Sequence, residues 1–212
     1  MSQHTGSWRH AAVALALCGA AAVVVVAPPA TPASAAVPGL VRISAVSATN
    51  SNDYRTVTAT CPAGKVLTGT GYELNGATGE AVVDDLRPNG GPATAPTSVT
   101  VGAYEADAFA GNWSVTAYAI CANPLAGLVR ASVAGASNSN DFRSVAAPCP
   151  AGKVLTGAGY EVNGATGEAV VDDFRPNGGP ATAPTSVTSG TYEEDAFAGN
   201  WSLTSYAVCA TP

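Results

Sequence analysis

Carboxylates are the side chains whose type and spacing could do chemistry. Asp84-Asp85 recurs at Asp172-Asp173, and Glu73, Glu80, Glu105 and Asp107 lie nearby in sequence. Paired acids of this kind could supply the acid and the nucleophile of a glycosidase. If 81–87 is a strand, however, Asp84 and Asp85 point to opposite faces and cannot flank one bond. Calcium is the second chemistry to consider. Asn50, Asn52 and Asp53 form one oxygen-rich loop, and Glu105, Asp107 and Asn112 form another. Neither has EF-hand spacing, and Asx turns in solvated loops account for both. The chain has two histidines, His4 and His10, both in the first 35 residues. Without them the remainder has no Ser-His-Asp or Cys-His arrangement. Gly69-x-Gly71 falls inside a strand-like run, so it is not a phosphate loop at a helix start. The sequence therefore implies no catalytic residues, no metal and no cofactor, and a protein that is not an enzyme.

Residues 1–35 read as a secretory signal peptide. Arg9 is their one full charge, an apolar run spans Ala11 to Ala27, and small residues follow at Ala33-Ser34-Ala35. The remaining chain keeps eight basic and fifteen acidic residues, a formal charge of −7. That balance argues against nucleic acid and against anionic membrane as partners. Beyond the signal no stretch is apolar enough to span a bilayer, so the expected location is extracellular, with no membrane contact after cleavage. Four cysteines remain, Cys61, Cys121, Cys149 and Cys209. An oxidising compartment favours disulfides, and symmetry favours Cys61–Cys121 with Cys149–Cys209.

The symmetry comes from a duplication. Residues 61–69 and 149–157 both read Cys-Pro-Ala-Gly-Lys-Val-Leu-Thr-Gly, and every landmark keeps that offset. About 67 of about 86 positions match without a gap, enough to make this a tandem pair of one module. The organisation expected is a signal at 1–35, one β-repeat at 36–124, a linker at 125–126 and a second repeat at 127–212. Runs rich in β-branched and aromatic residues at 41–46, 54–59, 66–74, 81–87, 98–105 and 113–121 alternate with Gly, Pro, Asn and Asp clusters. The fold class is thus all-β: two antiparallel sandwiches or small barrels, each with one internal disulfide. The two-residue linker should hold them as a pseudo-twofold pair. Gly69 and Gly71 share a strand face, and Trp113 is expected to fill the groove they leave.

The pattern Asn-Ser-Asn-Asp, Cys-Pro-Ala-Gly-Lys-Val-Leu-Thr-Gly, Asn-Trp-Ser and Tyr-Ala-Ile-Cys-Ala resembles a group of secreted two-cysteine β-repeat domains of actinobacteria. The resemblance covers both repeats and implies a secreted β module bracketed by its cysteines, with no catalytic residues to carry over. In outline alone, the chain is also similar to the adaptor subunits of actinobacterial umbrella toxin particles.

The candidate binding residues come from where the repeats stay alike. Residues 41–60 differ from their counterparts at nine positions, whereas Asp107-Ala-Phe-Ala-Gly-Asn112 recurs unchanged at 195–200. Loops normally vary more than strands. Asp107, Phe109 and Asn112, with Asp195, Phe197 and Asn200, are therefore the expected contact patches. The function expected is a secreted, non-catalytic, bivalent binding or adaptor protein whose partners are extracellular proteins. The alternatives are a lectin-like module for polysaccharide, a secreted enzyme inhibitor presenting 88–97, and, last, a carboxylate-based hydrolase.

Overall fold

The computed structural model describes residues 37–212, and the expected signal peptide lies outside them. These residues belong to one compact unit. The first repeat holds β1 (Val41–Val46), β2 (Tyr54–Thr60), β3 (Val66–Asn75), β4 (Ala81–Asn89), β5 (Ser98–Glu105) and β6 (Ser114–Ala122). The second holds β7 (Val129–Ala134), β8 (Phe142–Pro148), β9 (Val154–Asn163), β10 (Ala169–Asn177), β11 (Ser186–Glu193) and β12 (Ser202–Ala210). All sheet pairings are antiparallel. The all-β class and the two sandwiches stand as the sequence implied.

Each repeat packs two three-stranded sheets face to face. In the first, β1-β6-β3 covers β2-β5-β4, and Leu67, Val99, Val101 and Val115 are fully buried between them. Period-two alternation sets the inward face: Val115, Ala117 and Ala119 of β6 point in, and Tyr118 and Ile120 point away. The disulfides Cys61–Cys121 and Cys149–Cys209 join the end of β2 to β6 and the end of β8 to β12, tying the two sheets of each sandwich together.

The repeated Cys-Pro-Ala-Gly-Lys stretch is a turn with a clasp. Gly64 has φ +79°, and Lys65 N–H donates to the Pro62 carbonyl at 3.0 Å. Only glycine takes that conformation without strain. The turn aims Lys65 Nζ at the Gly39 carbonyl, 2.6 Å away, and at Asn123 Oδ1, 3.0 Å away. The two ends of the repeat are thereby held together. Lys153 does the same at the Gly127 carbonyl, at 2.6 Å.

Trp113 does not fill the face above Gly69 and Gly71. Those glycines pair with Ile120 and Tyr118, the outward residues of β6. Trp113 sits at the other end of the β3–β6 pair and is fully buried. Its Nε1 donates to Glu105 Oε1 at 2.8 Å, and the Arg55 guanidinium stacks over its ring at 4.9 Å. The groove over Gly69 and Gly71 opens outward, away from the core that a tryptophan fills.

Where the two repeats pack together, equivalent positions meet. Thr70 Oγ1 donates to the carbonyl of Ala158, its counterpart, and Tyr72 lies beside Tyr160. The strand pairing is nevertheless one-sided. β4 pairs with β9 to give a continuous sheet in the order β2-β5-β4-β9-β12-β7, while β3 and β10 do not pair.

Candidate functional site

The two unchanged loops are built alike. Glu105 Oε2 accepts from Phe109 N–H at 3.1 Å while its other oxygen holds the Trp113 indole. Glu193 does the same for Phe197, at 3.1 Å, and for Trp201, at 2.6 Å. One carboxylate thus pins each loop to the buried tryptophan. Each phenylalanine ring folds back over the glycine two residues on; a Cβ at Gly111 or Gly199 would collide with it. Phe109 and Phe197 are half-buried against their own core, and Asp107, Asn112, Asp195 and Asn200 are exposed. The structure brings the two loops to one side. Asp107 and Asp195 line the same small cleft, of ≈ 120 Å³, together with Glu168 and Glu194.

The loop of Asn50, Asn52 and Asp53, considered for calcium, and its counterpart in the second repeat are each closed by their own backbone. Asn50 Oδ1 accepts from Asn52 N–H at 3.0 Å, and Asn138 Oδ1 from Asn140 N–H at 3.0 Å. Among the described residues, no group of three or more His, Cys, Asp or Glu is arranged to hold a metal ion. The 88–97 loop is also engaged. Ala93 N–H donates to the Arg130 carbonyl at 3.1 Å, and Arg130 N–H to the Thr94 carbonyl at 2.9 Å.

Sequence reasoning missed the junction where β4 meets β9. Asp85 pairs with Glu161 and Leu86 with Tyr160. Arg87 Nη1 donates to Glu161 Oε1 at 2.9 Å, and the Tyr206 hydroxyl donates to the other oxygen of Glu161. Arg130 stacks over the Tyr206 ring at 4.8 Å and donates from Nη1 to the Pro88 carbonyl at 2.8 Å. Two glycines admit the strand: a Cβ at Gly159 would collide with the Leu86 carbonyl and Pro88, and one at Gly157 with the Thr68 carbonyl.

The junction also changes the acids. A bulge between Val83 and Asp85 turns Asp84 inward, where Oδ2 accepts from Gly167 N–H at 3.3 Å and Oδ1 has no partner. Burial raises its pKa to about 8, against the lowering effect of that N–H and with a smaller push from Asp85. Asp85 is raised to about 6, first by burial and then by Glu161, with Arg87 opposing. Their counterparts Asp172 and Asp173 are exposed. What this arrangement does chemically is hold protons. Because the folded-state values exceed the unfolded ones, the junction is most stable below about pH 4 and loses stability as pH rises through 6 to 8. The signal in the sequence was the Asp-Asp pair beside the single Leu86/Phe174 difference.

The chain matches no protein-family model and no curated protein sequence. The fold defines a class: a disulfide-bonded all-β double sandwich. Two disulfides, and no helix among the described residues able to cross a membrane, fit an extracellular protein.

Proposed function

We propose that this is a secreted, non-catalytic, bivalent binding or adaptor protein that acts through protein–protein contacts in an extracellular assembly. The observation that carries the reading is the convergence of two identical loops, 107–112 and 195–200, on one side of the molecule, where Asp107 and Asp195 share a cleft. Each loop is held rigid by a carboxylate bonded to a buried tryptophan, so its exposed Asp and Asn side chains are presented at little entropic cost. Two equivalent patches on one body bind a repeated partner by effective concentration. The resemblance to secreted two-cysteine repeats points the same way.

The test is capture from culture supernatant on the immobilised protein, beside variants carrying Asp107→Ala with Asn112→Ala, Asp195→Ala with Asn200→Ala, or all four changes. The reading expects a protein partner whose capture falls modestly with either pair and far more with all four. Saturable binding on a glycan array, with no loop-dependent protein capture, would replace it with a lectin.

A further inference from the structure

We propose that the protein associates head to tail with itself: the open β10 edge of one copy takes the β3 strand of a second copy, as β4 takes β9 within the chain. This surface is separate from the loops above. Each repeat carries one acceptor edge, β4 or β10, and one donor strand, β3 or β9. The junction inside the chain consumes the acceptor of the first repeat and the donor of the second. A near-identical acceptor, with Phe174 for Leu86, and a near-identical donor, with Thr70 and Leu74 for Ala158 and Val162, are left over.

The unused acceptor is a near-copy of the used one. Between 75–100 and 163–188 the single difference is Leu86 against Phe174. Leu86 is 3% exposed under β9, whereas Phe174 is 39% exposed. Beside it lies an open cleft of ≈ 260 Å³ lined by Leu155, Ala158, Phe174, Pro176 and Pro184. The counterparts Leu67, Leu86, Pro88 and Pro96 are buried. The adjoining turn is also preformed: Ala181 has φ 59°, matching φ 56° at Ala93, the residue that bonds the Arg130 backbone in the junction.

The unused donor is assembled as well. Glu73 accepts from the Tyr118 hydroxyl at 2.6 Å, and Arg42 stacks over the Tyr118 ring at 5.0 Å. This repeats the Glu161, Tyr206 and Arg130 group and lacks only an arginine from an acceptor strand. Arg175 on β10 is exposed and is the counterpart of Arg87. The apolar residues of the donor wait in the same way. Tyr72 is 45% and Leu40 is 54% exposed, where Tyr160 is 2% and Leu128 is 7% exposed. A Cβ at Gly71 would meet only Tyr118 of its own sheet, so the close approach that Gly159 makes is open to Gly71.

Two unlike edges joined in this way form a heterologous contact, which propagates from copy to copy where a symmetric one stops at a dimer. An unpaired strand edge is a ready template for such pairing.

Sedimentation velocity on the disulfide-intact protein, from micromolar to millimolar, tests this. The wild type should show a mass that rises with concentration. Tyr72→Asp in the donor and Phe174→Asp in the acceptor should each stay monomeric; both rings also border Tyr160, Phe174 edge-on at 5.2 Å, so a thermal melt checks that each variant keeps its own junction. An equimolar mixture of the two should form a heterodimer that grows no further, since it retains one sound donor and one sound acceptor, already engaged. If Phe174→Asp does not fold, Arg175→Glu on the same edge takes its place. A wild type that stays monomeric throughout, a Tyr72→Asp variant that still self-associates, or a mixture that stays monomeric overturns the proposal. The four-residue loop variant should associate like the wild type.

Discussion

β4 and β10 have the same sequence but for one residue, and they lead different lives. In β4 the run Asp84-Asp85-Leu86-Arg87 lies under a strand from the other repeat; Asp84 and Leu86 are buried and both acids hold protons far above the usual carboxylate range. In β10 the run Asp172-Asp173-Phe174-Arg175 is exposed. Environment, and not residue type, sets burial here. A duplicated chain can therefore hold one surface in two states.

The two edges differ most at the glycines that admit a neighbouring strand. Gly159→Val should destabilise the protein by about 3 kcal/mol, because a side chain there meets the Leu86 backbone and Pro88. Gly71→Val, at the equivalent place, should change stability little, since only Tyr118 lies within reach, at 3.7 Å. Thermal melts of the two variants check this.

Asp84 makes the stability of the β4 junction depend on pH. Asp84→Asn should stabilise the fold at pH 8 by about 1–3 kcal/mol, by removing a buried acid that there must either keep a proton the unfolded chain releases or carry an unsolvated charge. It should have little effect at pH 4, where the acid is already neutral. Asp172→Asn should be silent at both. Denaturant melts at the two pH values measure the difference.

The cores differ too. Val101 and Ala103 are replaced by Ser189 and Thr191, fully buried hydroxyls with no partner. Ser189→Val should stabilise the protein by about 1 kcal/mol, an unpaired buried hydroxyl being costlier than a methyl. The smallest effect belongs to the ion pair. Arg87→Gln should cost less than about 1 kcal/mol, because Arg87 is 37% exposed, and Arg175→Gln should cost nothing in the dilute protein.

Much of the fold was legible because it rests on local pattern. Runs of β-branched and aromatic residues between turn clusters marked all six strands of each repeat, and the repeat symmetry of the cysteines marked both disulfides. The loop 107–112 was singled out from its repetition, but not that Phe109 folds over Gly111, which depends on a local backbone path. Trp113 was misplaced because two glycines on a strand define a groove without saying which side of the sheet it opens. The junction was hidden for a deeper reason: a sequence with matching halves carries matching edges, and which one is used is decided by packing across the two repeats.

Amide hydrogen exchange, resolved by residue in dilute protein, tests that asymmetry most directly. Amides that point inward to β5 or β11 should be slow in both repeats. Those on the outer edge should be slow within 84–87, where β9 pairs, and fast within 172–175, where no strand lies alongside. Equal protection of the two edges in dilute solution would contradict the one-sided junction.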